Sequence, residues 1–120
     1  MATILLVDDI SFIKKIEKKT LEAAGHSIVG DAKNGLEAIE MYEKEKPEIV
    51  LMDITMPIMS GLDALKKIME MDPRARVIMC SALSHEKALM QAITYGARDY
   101  LIKPYSMEKL IHVIDKALAH

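Results

Sequence analysis

Five polar residues close apolar runs in this chain, and their types ask for a chemical explanation. Asp8 and Asp9 end "TILLVDD", Asp53 ends "EIVLMD", Ser81 follows "VIMC" and Lys103 follows "DYLI". A carboxylate at the end of a buried strand costs several kcal/mol unless it is paired, protonated or held for chemistry. Three carboxylates within about 5 Å of one another repel by roughly 3 kcal/mol per pair at an effective dielectric of 20. One lysine offsets part of that. A divalent cation offsets the rest, and oxygen-only donors on a rigid frame suit Mg²⁺. A carboxylate beside Mg²⁺ and a lysine can also accept a phosphoryl group, because both cations neutralise charge spread over its equatorial oxygens.

The elements that must position these residues are legible as two alternating patterns. Apolar runs at 3–7, 27–31, 48–53, 75–81 and 99–102 are nearly continuous, as strands covered on both faces require. Between them lie stripes at helical spacing: Ile13, Ile16, Thr20 and Ala24; Ala38, Ile39 and Tyr42; Leu62, Leu65, Ile68 and Met69; Ala88, Leu89, Ala92 and Ile93; Met107, Leu110, Ile111, Ile114 and Leu118. Ser11 and Ser106 fit helix N-caps, and Gly25 and Gly96 fit the positions just after helices. Strict alternation predicts an α/β, doubly wound (βα)5 domain over residues 1–120, with a five-stranded parallel sheet. In such sheets ligands bind outside the carboxyl ends of the strands. Asp8, Asp9, Asp53, Ser81 and Lys103 all fall at those ends, with Asp53 between the acidic pair and the lysine.

Composition narrows the function classes. The 120 residues are 51% hydrophobic and 28% charged, with a net charge of −2, so no overall basic field draws the chain to nucleic acid or a membrane surface. No apolar run approaches the roughly 20 residues of a membrane span, and "MATILLVDD" lacks a signal-peptide pattern. A cytoplasmic protein is expected. The single cysteine, Cys80, lies in an apolar run and reads as a buried structural thiol. Lys14, Lys15, Lys18 and Lys19 read as a solvated helix face, and the four histidines, His85 among them, have no metal-ligand spacing.

The motifs "LLVDD", "LMDITMP", "CSA", "DYLI" and "KPY", in this order over the whole chain, resemble a response-regulator receiver domain, most closely the free-standing chemotaxis type. The resemblance implies a flavodoxin-like strand order of 2-1-3-4-5. It implies that Asp53 is the phosphoacceptor, that Asp8, Asp9, Asp53 and the Thr55 backbone carbonyl serve the Mg²⁺ site, with Asp8 acting mainly through water, and that Lys103 contacts the phosphoryl oxygens. Ser81 and Tyr100 are then the switch residues. The implied partners are a histidine kinase as phosphodonor, a flagellar motor-switch or other output protein bound through the fourth helix, fifth strand and fifth helix, and a phosphatase. Glu86, Ile102, Tyr105 and Lys116 are expected on that output surface. Thr55 and Leu83 occupy the places that govern the hydrolytic water, and neither offers a carboxylate or amide to position it.

Such a protein is a phosphorylation switch and not an enzyme beyond its own phosphoryl acceptance and self-dephosphorylation. The same resemblance covers a receiver domain of another two-component or phosphorelay pathway. Two rivals use the same architecture. A Mg²⁺-dependent phosphohydrolase with an aspartate nucleophile wants a second aspartate two residues on, where this chain has Thr55. A flavodoxin-like FMN binder needs a phosphate cradle after the first strand, where this chain has the acidic "DDISF".

Overall fold

The computed structural model of the chain describes residues 1–82 and 86–119. Strands and helices alternate without exception: β1 (Thr3–Val7), α1 (Ser11–Ala23), β2 (Ser27–Ala32), α2 (Gly35–Glu45), β3 (Ile49–Asp53), α3 (Gly61–Met71), β4 (Val77–Ala82), α4 (Glu86–Tyr95), β5 (Asp99–Lys103) and α5 (Met107–Ala119). The strands pair in parallel in the order β2-β1-β3-β4-β5, as the family resemblance implies. Each apolar run forms a strand within two residues of its expected ends.

The unbroken apolar character of the strands follows from a core on each side of the sheet. Successive side chains point to opposite faces. Leu5, Val7, Val50, Met52, Val77 and Met79 pack with Tyr42, Leu65, Ile68 and Leu89 from α2, α3 and α4. Ile4, Leu6, Ile49, Leu51, Ile78 and Leu101 pack on the other face with Leu21 of α1 and Leu110, Val113 and Ile114 of α5. Burying each such side chain contributes roughly 1.5–3 kcal/mol. Cys80 lies within the second layer, buried and unbridged.

Helix ends follow the local chemistry closely. Asn34 Oδ1 accepts from the Glu37 N–H at 2.9 Å to cap α2, and Ser60 Oγ accepts from Asp63 at 3.2 Å to cap α3. Ser106 Oγ accepts from the Lys109 N–H at 3.0 Å, as expected. Gly25 and Gly96 follow α1 and α4 with φ of +95° and +107°, where a side chain would be strained.

Three expectations need correction. Ser11 does not cap α1: it is the first helical residue, the N-cap is Ile10, and Asp8 Oδ1 accepts the Ile10 N–H at 2.9 Å. The aspartate that ends β1 thus also turns the chain into the helix. The buried face of α1 is Lys14, Glu17 and Leu21, one position round from the apolar stripe. Ile16 stands 39% exposed. Both charged residues find partners inside, so the helix can turn them inward. On α4, Ile93 is exposed and only Leu89 and Ala92 are buried. Among the described residues, no helix is long and apolar enough to cross a membrane.

Candidate functional site

Parallel register brings the carboxylates together. Val7 pairs with Met52, so Asp8 and Asp53 leave the sheet side by side at the point where the connections diverge to its two faces. Asp53 pairs with Cys80, which sets Ser81 one residue beyond it on the neighbouring strand. One oxygen from each of Asp8, Asp9 and Asp53 lies within 4.8 Å of the others. Asp8 and Asp53 are buried, and Asp9 is exposed at the rim.

Lys103 reaches this cluster from β5, two strands away. Its long stem crosses the end of β4, and its Nζ donates to Asp53 Oδ2 at 3.0 Å and lies 3.6 Å from Asp8 Oδ2. The peptide bond that follows it, Lys103–Pro104, is cis. Burial pushes the Asp53 carboxyl up, the Lys103 hydrogen bond and charge oppose this, and Asp8 and Asp9 add to it, leaving the group above the usual aspartate range. Burial acts to lower the Lys103 ammonium, but Asp53 and then Asp8 outweigh it, so its pKa is raised.

The loop after β3 is fastened close to Asp53 by glycine. A Cβ on Gly61 would sit 2.0 Å from the Asp53 carbonyl oxygen, and its N–H donates to Ile54 at 2.7 Å. Only a residue without a side chain lets α3 start this near the site. Within the loop, Thr55 is exposed, and Ile58 adopts φ +67° with its side chain 81% exposed.

Among the described residues, Ser81 and Tyr100 make no side-chain hydrogen bond to the carboxylate cluster. Ser81 is buried, and its hydroxyl donates along the chain to the Ala82 carbonyl at 3.2 Å. Tyr100 lies on β5 with 41% of its surface exposed. Leu83 and His85 lie outside the described residues. Tyr105 makes a contact that its sequence position does not announce. Its ring lines a hollow with Tyr100, Ile102 and Lys116, but its hydroxyl is committed to Glu17 of α1. Sequence reasoning missed Glu17, which is only 3% exposed. The signal was present in the spacing of Lys14, Glu17 and Leu21, which marks a helix face as well as any apolar set.

This arrangement fits a hard divalent cation. Its donors are all carboxylate oxygens, their mutual separations suit ligands on an ion with 2.0–2.1 Å bonds after a small inward movement, and the exposed Asp9 leaves the site open to metal-bound water. A single ammonium against three carboxylates leaves negative charge uncompensated.

Comparison with known proteins agrees with this geometry. The family model for the response regulator receiver domain matches residues 4–115. The chain is 42% identical to the chemotaxis protein CheY of Thermotoga maritima over 113 residues, covering 94% of each chain, and 42% identical to CheY of Bacillus subtilis over 115 residues, covering 96% of each. It is 43% identical over 106 residues to a protein-glutamate methylesterase/protein-glutamine glutaminase of Pyrococcus abyssi, of which it covers 28%. Among solved structures, the complex of CheX, CheY, BeF3 and Mg²⁺ from Borrelia burgdorferi aligns with a TM-score of 0.92 and 35% identity, over 97% of this chain and 88% of that one. With its parallel sheet, acidic cluster and strand-end lysine, this chain belongs to the response regulator receiver domain family of two-component signalling proteins.

Proposed function

We propose that Asp53 accepts a phosphoryl group from the phosphohistidine of a sensor kinase in a Mg²⁺-dependent reaction, and that the phosphorylated protein binds an output partner in chemotaxis. The observation that carries this reading is the contact of Lys103 Nζ with both Asp53 and Asp8 at the mouth of a buried carboxylate cluster. The Asp53 oxygen forms the new O–P bond as the donor's N–P bond breaks, and the released imidazole takes a proton from solvent. Lys103 is placed to follow the phosphoryl oxygens as they shift charge away from the carboxylate. Asp8, Asp9, Asp53 and the Thr55 carbonyl would hold Mg²⁺. When bound, the ion supplies neutralisation of the charge on those oxygens.

The switch then runs through Ser81 and Tyr100. On this reading the Ser81 hydroxyl, bonded to the next carbonyl along the chain, turns toward a phosphoryl group, and the Tyr100 ring turns inward behind it. This is a shift between two packings, driven by contacts that the phosphoryl group makes in only one of them. Beside Tyr100, β5 and α5 flank a hollow that reaches Ile102, His112 and Lys116, a mixed surface suited to a partner helix. Likeness to CheY over nearly the whole chain supports a role in chemotaxis, and we infer the flagellar motor switch as the output partner. Likeness to part of the methylesterase supports a second reading, a receiver that controls another output in a two-component pathway. Residues 1–120 form the receiver unit on either reading.

Incubation with acetyl phosphate and Mg²⁺, with p-nitrophenyl phosphate, and with FMN tests the proposal. One phosphoryl group is expected on the protein from the first, with no turnover of the second and no binding of the third. Steady phosphate release from p-nitrophenyl phosphate would contradict it.

A further inference from the structure

Helix α1 turns Lys14 and Glu17 toward the sheet, and the two are satisfied differently. Lys14 Nζ donates to the Ala32 carbonyl at 3.3 Å and lies 3.9 Å from Asp31, a local arrangement at the edge of the sheet. Glu17 instead accepts the hydroxyl of Tyr105, a residue 88 positions away in the chain and two after Lys103. The phenol oxygen also lies 3.7 Å from Cys80 Sγ on β4. A buried carboxylate bonded to a phenol is a costly filling for a core. An apolar pair of similar volume is often as stable or more so. Packing holds this turn only in part: Tyr105 and Met107 rest against the buried cluster, but Pro104 is exposed, and Ile13, Ile16 and Met107 line an open apolar hollow beside Glu17, Lys103 and Tyr105.

We propose that the Glu17–Tyr105 hydrogen bond is a tether that fixes the β5–α5 turn against α1 so that the Lys103 ammonium is held over Asp53. Glu17 and Tyr105 are then positioning residues for phosphoryl acceptance. The need for such a device is physical. Lys103 carries a flexible four-carbon stem and must cross the end of β4 to reach Asp53, so a small movement of its backbone is amplified at Nζ. Misplacement of a charged group by about 1 Å can cost a reaction up to 100-fold. The inference rests on the role proposed for Asp53.

The test compares wild type, Tyr105→Phe, Glu17→Gln and the double variant Glu17→Leu/Tyr105→Phe in three measurements: urea unfolding, Mg²⁺ affinity by calorimetry, and the initial rate of phosphorylation by acetyl phosphate. The double variant is expected to unfold near the wild-type midpoint, because no buried charge is stranded, yet to accept phosphate about tenfold more slowly with Mg²⁺ affinity within about twofold of wild type. Glu17→Gln keeps an oxygen for the phenol and is expected to hold its rate within about twofold of wild type. Tyr105→Phe is expected to be slow, and its contrast with Glu17→Gln carries the test should the double variant fold poorly. A double variant at the wild-type rate, a Glu17→Gln variant as slow as Tyr105→Phe, or Mg²⁺ affinity falling in step with rate would each overturn the tether. Wild type that takes no phosphate at all would overturn the role of Asp53 and the tether with it, whereas wild type and double variant reacting alike sinks the tether alone.

Discussion

Lys103 Nζ stands 3.0 Å from Asp53 Oδ2 and 3.6 Å from Asp8 Oδ2, so one ammonium serves two buried carboxylates while Asp9 adds a third at the rim. Burial, only partly opposed by Lys103, holds the Asp53 carboxyl above 3.8. An acid raised in the folded state contributes its full stability below its unfolded pKa and loses it as pH rises through the folded value. Asp53→Asn is therefore expected to stabilise the metal-free protein at neutral pH, with less gain in acid. Mg²⁺ stabilises whichever form binds it, so the advantage should shrink or reverse when the ion is added. Urea unfolding with EDTA and with Mg²⁺ measures this. A variant less stable than wild type in EDTA at neutral pH would show that Lys103 already balances the cluster.

Glu17 offers a pH dependence of its own. Burial raises its carboxyl above 4.5, the Tyr105 hydroxyl and Lys103 act against this, and Asp8 and Asp53 act with it. The Cys80 thiol, itself pushed up by burial, faces the same space and stays neutral. By the same sign, the contribution of Glu17 is complete below 4.5 and lost as pH rises through its folded value. Glu17→Gln should be more stable than wild type near neutrality and lose that advantage in acid. Unfolding midpoints across this range check it, and a difference independent of pH would mean that burial does not shift the Glu17 carboxyl from its unfolded value.

Ile58 carries a strain that a single substitution can release. It is β-branched, its φ is +67°, and 81% of its surface is exposed, so little packing is lost with the side chain. The left-handed region costs ordinary residues about 1–2 kcal/mol, and asparagine is among the few side chains that tolerate it. Ile58→Asn should gain about 1 kcal/mol, a rise in melting temperature of about 3–6 °C. A lower melting temperature would show that the isoleucine packs against something essential.

The output side of the proposal turns on Tyr100, which lies at the end of the sheet opposite β2 and is 41% exposed. If its inward turn couples Asp53 to the partner surface, a motor-switch peptide should bind the beryllofluoride-activated protein more tightly by about 1–3 kcal/mol, and Tyr100→Ala should remove most of that difference. Isothermal titration of both proteins, with and without beryllofluoride, reads the coupling. An undiminished difference in the variant would leave Tyr100 a packing residue.

Much of this fold and site is legible in the sequence. Apolar runs buried on both faces are a one-dimensional signal, so the strands and the polar residues that close them could be read directly, and Asp8, Asp9, Asp53 and Lys103 do meet. What escaped was set by partners distant in sequence. The buried face of α1 is defined by Lys14 and Glu17, whose burial makes sense only once Ala32 and Tyr105 are seen beside them. Ser11 looked like a cap because its side chain is suited to one, but Asp8 had already turned the chain a residue earlier. Tyr105 does line the hollow beside Tyr100, but nothing local in the sequence shows that its hydroxyl also reaches across to α1.

The central claim is that Asp53 is the acceptor. Intact-mass spectrometry of wild type and Asp53→Asn after incubation with acetyl phosphate, with Mg²⁺ or with EDTA, measures it directly. One added phosphoryl group is predicted on wild type with Mg²⁺, little with EDTA, and none on Asp53→Asn under any condition. A phosphoryl group on the Asp53→Asn variant at the wild-type level would contradict the assignment.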